Sequence, residues 1–305
     1  MVVILLALTA VFLGGAYYAY RVSFFSPSDG REKEPFFEGS IYTPHHAVMK
    51  QLYAQLMQRR CEIVTVQSRD GLTLTGYYFH IQDNAPVDIC FHGYRSTWKT
   101  DFSGGSDLSY QMGHNLLLID ERAHGKSQGK TITFGLLERL DLVQWVNYIT
   151  NRFGSDTPIF LYGVSMGGAT VLMAPQEQLP ANVKGIIADC PFANALEIIS
   201  HVGKEKPVPR WLIKPFALVG AALFGGFQLN KTDARKELSK ANIPVLIIHG
   251  EADTLVPPKM SDLVFCNPKY ITRHTFPGAE HAVSYLVDTD RYSAIIKEFV
   301  ENCLS

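Results

Sequence analysis

Five consecutive residues, Gly163 to Gly167, carry the strongest chemical signal in the chain. They set Ser165 between two glycines, after an apolar run from Pro158 to Tyr162 and before the small residues Gly168, Ala169 and Thr170. The pattern predicts a strand, a sharp turn and a helix, with the serine at the turn and its hydroxyl raised above a sheet. The glycines leave room that side chains would fill. A serine hydroxyl is a weak nucleophile at neutral pH. It needs a base to take its proton, and the base needs a third group to orient it.

Candidates for both lie downstream, acid first and histidine second. Pro244 to Gly250 reads as a buried strand ending in a turn, and Asp253 lies just past it. Tyr270 to Phe276 reads as the next strand, and Pro277 to His281 turns out of it. Asp253 and His281 are therefore expected in matching loops. Glu280 is a second, poorer acid. His249, at a strand end, and His124, in a loop, read as structural. Upstream, the apolar run Val87 to Phe91 leads into His92, Gly93 and Tyr94. The anionic oxygen of a tetrahedral intermediate needs two backbone N–H donors. Met166, next after the serine, is expected to supply one and Tyr94 the other. Tyr94 and Arg95 are also candidate pocket residues.

With these motifs in this order, residues 60–302 resemble a bacterial α/β-hydrolase of the broad serine aminopeptidase and esterase-like group. The resemblance rests on His92-Gly93-Tyr94, the run Asp120 to Ser127, Gly163 to Gly168, Gly250 to Asp253, and His281. It implies an α/β fold with a mostly parallel central sheet, helices on both faces and a helical cap. It also implies hydrolysis of an ester, thioester or amide through an acyl-enzyme. Ser165, His281 and Asp253 would form the triad, Tyr94 and Met166 the oxyanion hole, with no metal and no organic cofactor. In such proteins the loop matching Asp120 to Ser127 is usually structural, and the histidine matching His92 braces the oxyanion loop.

Length and composition agree. A chain of 305 residues, 47% hydrophobic, can bury one large core. The net charge is -1, and no basic stripe is interleaved with aromatics, which argues against a nucleic-acid partner. Cys61, Cys90, Cys190, Cys266 and Cys303 are widely spaced, without a C-x-x-C pair. They read as small apolar residues rather than zinc ligands. The expected partners are a small acyl substrate and a membrane.

The membrane enters through the amino end. Val2 to Tyr20 is almost wholly apolar, with Arg21 as its first charge. About 20 such residues cross a bilayer as a helix. No basic residue precedes the run, and Tyr17, Tyr18 and Tyr20 suit a membrane interface. Gly14, Gly15 and Ala16 suit signal cleavage. A single-pass anchor over residues 1–21 is the leading expectation and a cleaved, secreted form the second. The membrane side stays open. Residues 22–44 mix Ser, Pro, Gly and charges and read as a linker; 45–305 is the hydrolase domain. Because the catalytic pattern begins after residue 60, residues 1–25 are expected to be dispensable for activity.

Elements must hold this chemistry in place. Val48, Leu52 and Leu56 recur at helical spacing within 44–60. Residues 62–67 and 72–79 flank Asp70-Gly71 as a hairpin. Asn115 to Ile119 and Lys184 to Asp189 read as buried parallel strands. Phe134 to Phe153 and Ser293 to Cys303 read as helices, giving a sheet covered on both faces. Residues 191–243 are too many for an ordinary loop. The run Trp211 to Phe227 is interrupted by Lys214, Pro215 and glycines, so it suits an apolar cap over the nucleophile better than a second span. Three functions fit: a carboxylic-ester hydrolase, a peptidase or amidase of the same fold, and a non-catalytic hydrolase-like scaffold. All three triad residues are present and no acidic cluster offers to hold a peptide amino terminus, so ester hydrolysis leads.

Overall fold

The computed structural model describes residues 1–28, 30–31, 41–238, 241–264 and 269–305. The chain opens with α1 (Val2–Ser23) and α2 (His46–Met57), then the hairpin β1 (Glu62–Gln67) and β2 (Thr73–Phe79). Next come β3 (Val87–Phe91), α3 (Trp98–Asp101), α4 (Ser103–Met112), β4 (Asn115–Ile119), α5 (Glu138–Phe153), β5 (Ile159–Val164), α6 (Met166–Met173) and β6 (Val183–Asp189). The cap holds α7 (Ala195–Gly203), α8 (Arg210–Leu223) and α9 (Ala234–Leu238). The chain closes with β7 (Val245–Gly250), α10 (Lys259–Asp262), β8 (Ile271–Phe276), α11 (Ser284–Val287) and α12 (Thr289–Leu304).

Among the described residues the eight strands form one sheet in the order β1-β2-β4-β3-β5-β6-β7-β8. Only β2 runs antiparallel to its neighbours; from β4 onward every pairing is parallel. Successive side chains of a strand face opposite sides. In β4, Leu117 and Ile119 join the core under α5, α6 and the cap, whereas Leu116 and Leu118 join the core under α4 and α12. Two covered faces explain why β3, β4 and β5 are buried at every position.

Two sequence expectations need correction. The helix expected from Phe134 begins only at Glu138, because Phe134 and Gly135 hold positive φ values of 55° and 94°. The Glu138 carboxylate fixes that turn by accepting from the N–H groups of Thr133 (2.7 Å) and Gly135 (2.9 Å). The second correction concerns the linker expected over 22–44. Helix α1 continues to Ser23, and the next residues are docked: Phe24 is fully buried, Ile132 N–H donates to Phe24 O (2.8 Å), and Phe25 pairs with Thr131. Thr43–His45 forms a short 3-10 turn into α2. The rest of the expected linker, residues 29 and 32–40, lies outside the described residues, as does Cys266.

Candidate active site

Ser165 sits between β5 and α6 with φ 56° and ψ −111°, a conformation side-chain-bearing residues rarely adopt. The turn is held by Ser165 N–H donating to Asp189 O at the end of β6 (2.8 Å). It is possible only with glycine on either side. A Cβ on Gly163 would collide with the Gly167 carbonyl, and a Cβ on Gly167 with the Phe91 carbonyl. The spacing is repeated at Gly125 to Gly129, but Ser127 there is fully buried. Its hydroxyl donates to Asp120 O (2.5 Å) and accepts from Thr75 N–H (2.8 Å), so it ties a loop to β2. Local geometry, not the pentapeptide, separates the two serines.

Asp253 and His281 come together as the sequence predicts. His281 Nδ1 lies 2.7 Å from Asp253 Oδ2, both side chains being buried. A carboxylate only accepts, so Nδ1 carries a proton and, in the neutral ring, Nε2 keeps its lone pair. Burial pushes the Asp253 carboxyl up, but hydrogen bonds from His249, His281 and Val256 N–H outweigh it and hold the group down at about 2. His249 is therefore part of the site: its Nε2 lies 3.2 Å from Asp253 Oδ2 and 2.8 Å from Val256 O. Glu280 is turned elsewhere, its Oε2 accepting from Thr254 N–H (3.1 Å) and Oγ1 (3.2 Å).

Ser165 and His281 share a neighbour the sequence did not single out. Cys190 Sγ lies 3.9 Å from His281 Nε2, and Cys190 directly follows Asp189, whose carbonyl accepts from Ser165 N–H. No hydrogen bond joins Ser165 Oγ to His281 among the described residues; such bonds are often long without substrate. The ligand atoms of Cys190, Asp253 and His281 lie within 4.8 Å of one another, close enough for a metal ion. Burial pushes the Cys190 thiol well up, with Asp189 and Asp253 adding to it, and a protonated thiol is a poor ligand.

The loop after β3 meets Ser165 from the other side, where a Cβ on Gly93 would lie 3.3 Å from Ser165 Cβ. Gly93 N–H donates to Asp101 Oδ2 (2.6 Å), and Arg95 N–H to His124 Nε2 (3.0 Å). Between them the N–H of Tyr94 donates to nothing among the described residues. Met166 opens α6, so its N–H has no partner within the helix. Glu121 N–H donates to His92 Nε2 (3.1 Å), which braces the loop as expected; His124 does the same, beyond the turn role the sequence suggested. Asp101, also missed, holds the loop through Gly93 and Ser96 Oγ (2.6 Å), though burial pushes its carboxyl up. Nothing in its sequence neighbourhood signals that role.

Above Ser165 opens a cavity of about 630 Å³, within the usual range for ligand sites. Phe134, Phe192, Ile198 and Ile199 line it, with Tyr94 and Arg95 among them as expected. Residues of α8 add the apolar roof foreseen for the cap, and residues of α1 complete it.

A family model for the alpha/beta hydrolase fold matches residues 89–231. The uncharacterized protein YqkD of Bacillus subtilis is 28% identical over 241 residues, covering 78% of each chain. Protein bem46 of Schizosaccharomyces pombe is 25% identical over 246 residues, 78% of this chain and 76% of its own. Among solved structures, the esterase Pf2001 of Pyrococcus furiosus matches with a TM-score of 0.66 at 23% identity, over 89% of this chain and 98% of that one. Est1E from Butyrivibrio proteoclasticus, with ferulic acid bound, matches with a TM-score of 0.62 at 21% identity, over 79% and 99%. At these identities the structural likeness speaks to the fold alone.

Proposed function

On the premise that this chain has the α/β-hydrolase fold, we propose that it is a serine hydrolase cleaving a carboxylic ester through an acyl-enzyme. Ser165 Oγ attacks the ester carbonyl carbon while its proton passes to His281 Nε2. The carbonyl oxygen takes the negative charge and accepts from the N–H groups of Tyr94 and Met166. Asp253 holds the imidazole in the tautomer that can receive a proton and stabilises the resulting cation. Collapse of the intermediate breaks the ester C–O bond, and His281 returns the proton to the leaving alkoxide. Water, giving its proton to His281, then attacks the acyl-enzyme and releases the acid.

The observation that carries this reading is the buried 2.7 Å pair of Asp253 and His281, at the ends of β7 and β8, across β6 from a strained serine turn. Ester is favoured over peptide because the cavity wall is mostly apolar and, among the described lining residues, offers no carboxylate to hold an amino terminus. The exposed apolar face of α1 supports a single-pass membrane anchor in the same protein.

A fluorophosphonate probe is expected to label Ser165. Ser165→Ala should abolish labelling and lower turnover by several orders of magnitude. Profiling against acyl esters of graded chain length and against peptide amides tests the substrate class. Undiminished labelling of Ser165→Ala would place the nucleophile elsewhere.

A further inference from the structure

Helix α1 is one wall of the cavity that holds Ser165. Tyr18, Ala19 and Val22 line it from α1, and Ile213, Phe216 and Ala217 from α8. The two helices run side by side in the same direction. The rings of Phe12 and Phe216 lie 5.2 Å apart, and those of Tyr20 and Phe224 6.1 Å apart. Small residues let the backbones approach: a Cβ on Gly220 would lie 2.5 Å from Ala16 O. The end of α1 is fastened to the loop that follows β3. Tyr94 Oη donates to Val22 O (3.2 Å) and Ser23 O (3.0 Å), and Arg95 Nη2 to Phe25 O (3.1 Å).

The far end of α1 projects from the molecule. Val3 and Val11 are 78% and 72% exposed. The part of α1 ahead of the Phe12–Phe216 contact, Val2 to Val11, rises only about 15 Å at about 1.5 Å per residue. A bilayer's hydrocarbon core is about 30 Å thick. Helix α1 can cross it only if the bilayer also covers part of the stretch packed on α8. Trp211, at the end of α8 beyond Phe216, is exposed and placed to enter with it. The groove between α1 and α8 then opens at the bilayer surface. The charged residues lining the cavity are Arg21, Arg95 and Lys206, with no carboxylate among the described lining residues. A methylene is about the size of a water molecule, whose share of the liquid is about 30 Å³. The cavity therefore has room for on the order of twenty such groups.

We propose that the substrate is a long-chain acyl ester of an anionic membrane lipid, whose chain leaves the bilayer along the α1–α8 groove to reach Ser165. This rests on the serine-hydrolase reading above.

Full-length protein reconstituted in vesicles tests it in two ways. The Ser165→Ala protein should bind a conjugated-polyene fatty acid, whose emission rises in apolar surroundings, without any turnover. Adding Ala19→Trp, or Val22→Trp as a second variant, should weaken binding about tenfold or more, the scale of losing two buried methylenes. Leu8→Trp, on the projecting part, should leave binding unchanged. Equal binding in both wall variants overturns the inference. In the second arm, the Ser165 protein should hydrolyse a long-chain ester faster in vesicles of phosphatidylglycerol than in vesicles of phosphatidylcholine. Equal rates, or a preference for a soluble long-chain acyl thioester over the vesicle-borne ester, count against the lipid. Fatty-acid binding that responds to Ala19→Trp in a protein fluorophosphonate never labels would instead sink the hydrolase reading and leave α1 the wall of a lipid-binding cavity.

Discussion

Asp253 receives N–H groups from His281, His249 and Val256, so its charge is spoken for on several sides. Replacing it by Asn keeps the shape and loses the charge. Asp253→Asn should cost roughly ten-thousand-fold in turnover, the scale of a triad carboxylate. Glu280→Gln should change turnover little, because Glu280 is bonded to Thr254. Rates with a chromogenic short-chain ester decide between the two acids. Asp189 makes the opposite case. Burial, reinforced by Asp253 and Asp101 against the opposing pull of His281, pushes its carboxyl up to about 7. Among the described residues only Oδ2 has a partner, Tyr292 Oη at 2.9 Å. An unfolded carboxyl titrates near 3.9. Between about pH 4 and 7 the folded state therefore holds a proton that the unfolded state has released, and stability falls as pH rises through that window. Asp189→Asn cannot ionise, so its stability advantage over the unsubstituted protein should widen by roughly 2 kcal/mol from pH 5 to 7. Urea unfolding at the two pH values checks this, and a constant difference contradicts it.

At the scale of elements, the strand–turn–helix around Ser165 and the strand ends bearing Asp253 and His281 were legible because each depends on neighbours in sequence. Apolar runs set the strands, and glycines or polar residues mark where they stop. The bracing of Tyr94 was not legible. Its backbone neighbours are fixed by Asp101 and His124, 8 and 29 residues from their partners, and its hydroxyl by the end of α1, across 71 and 72 residues of chain. Tyr94→Phe tests the last of these. It keeps the backbone N–H and removes one hydrogen bond, worth about 1 kcal/mol. With a short-chain ester it should lower kcat several-fold and leave KM nearly unchanged, because the displaced group is the proposed oxyanion donor. A loss confined to KM would mean that the hydroxyl shapes only the cavity.

The whole molecule departs most from its sequence pattern at the amino end. An all-apolar run reads as a span, and nothing local tells a free span from one with a docked end. The difference lies in Gly15, Ala16 and Gly220, small residues whose meaning appears only when two helices meet. Removing residues 1–25, expected from sequence to leave an active domain, would strip Ala16, Tyr20 and Phe24 from the core. That truncation should aggregate or unfold at clearly lower temperature, whereas removal of residues 2–12 should keep the fold and fluorophosphonate labelling. Full-length protein should resist carbonate extraction; free extraction with an intact amino terminus would refute the anchor. Recovery from the medium with a terminus near Ala16 would favour the secreted form.

The contact between Ala16 and Gly220 also sets a clock on synthesis. The first partner is made about 200 residues before the second, roughly 10–40 s at about 5–20 residues per second. Through that interval the docking face of α1 has no protein to cover it. A bilayer that receives the helix at once would shield it while the sheet forms, and α8 would then arrive at a wall already in place. Synthesis in a cell-free system should therefore give more labelled enzyme when vesicles are present from the start than when they are added after the chain is complete.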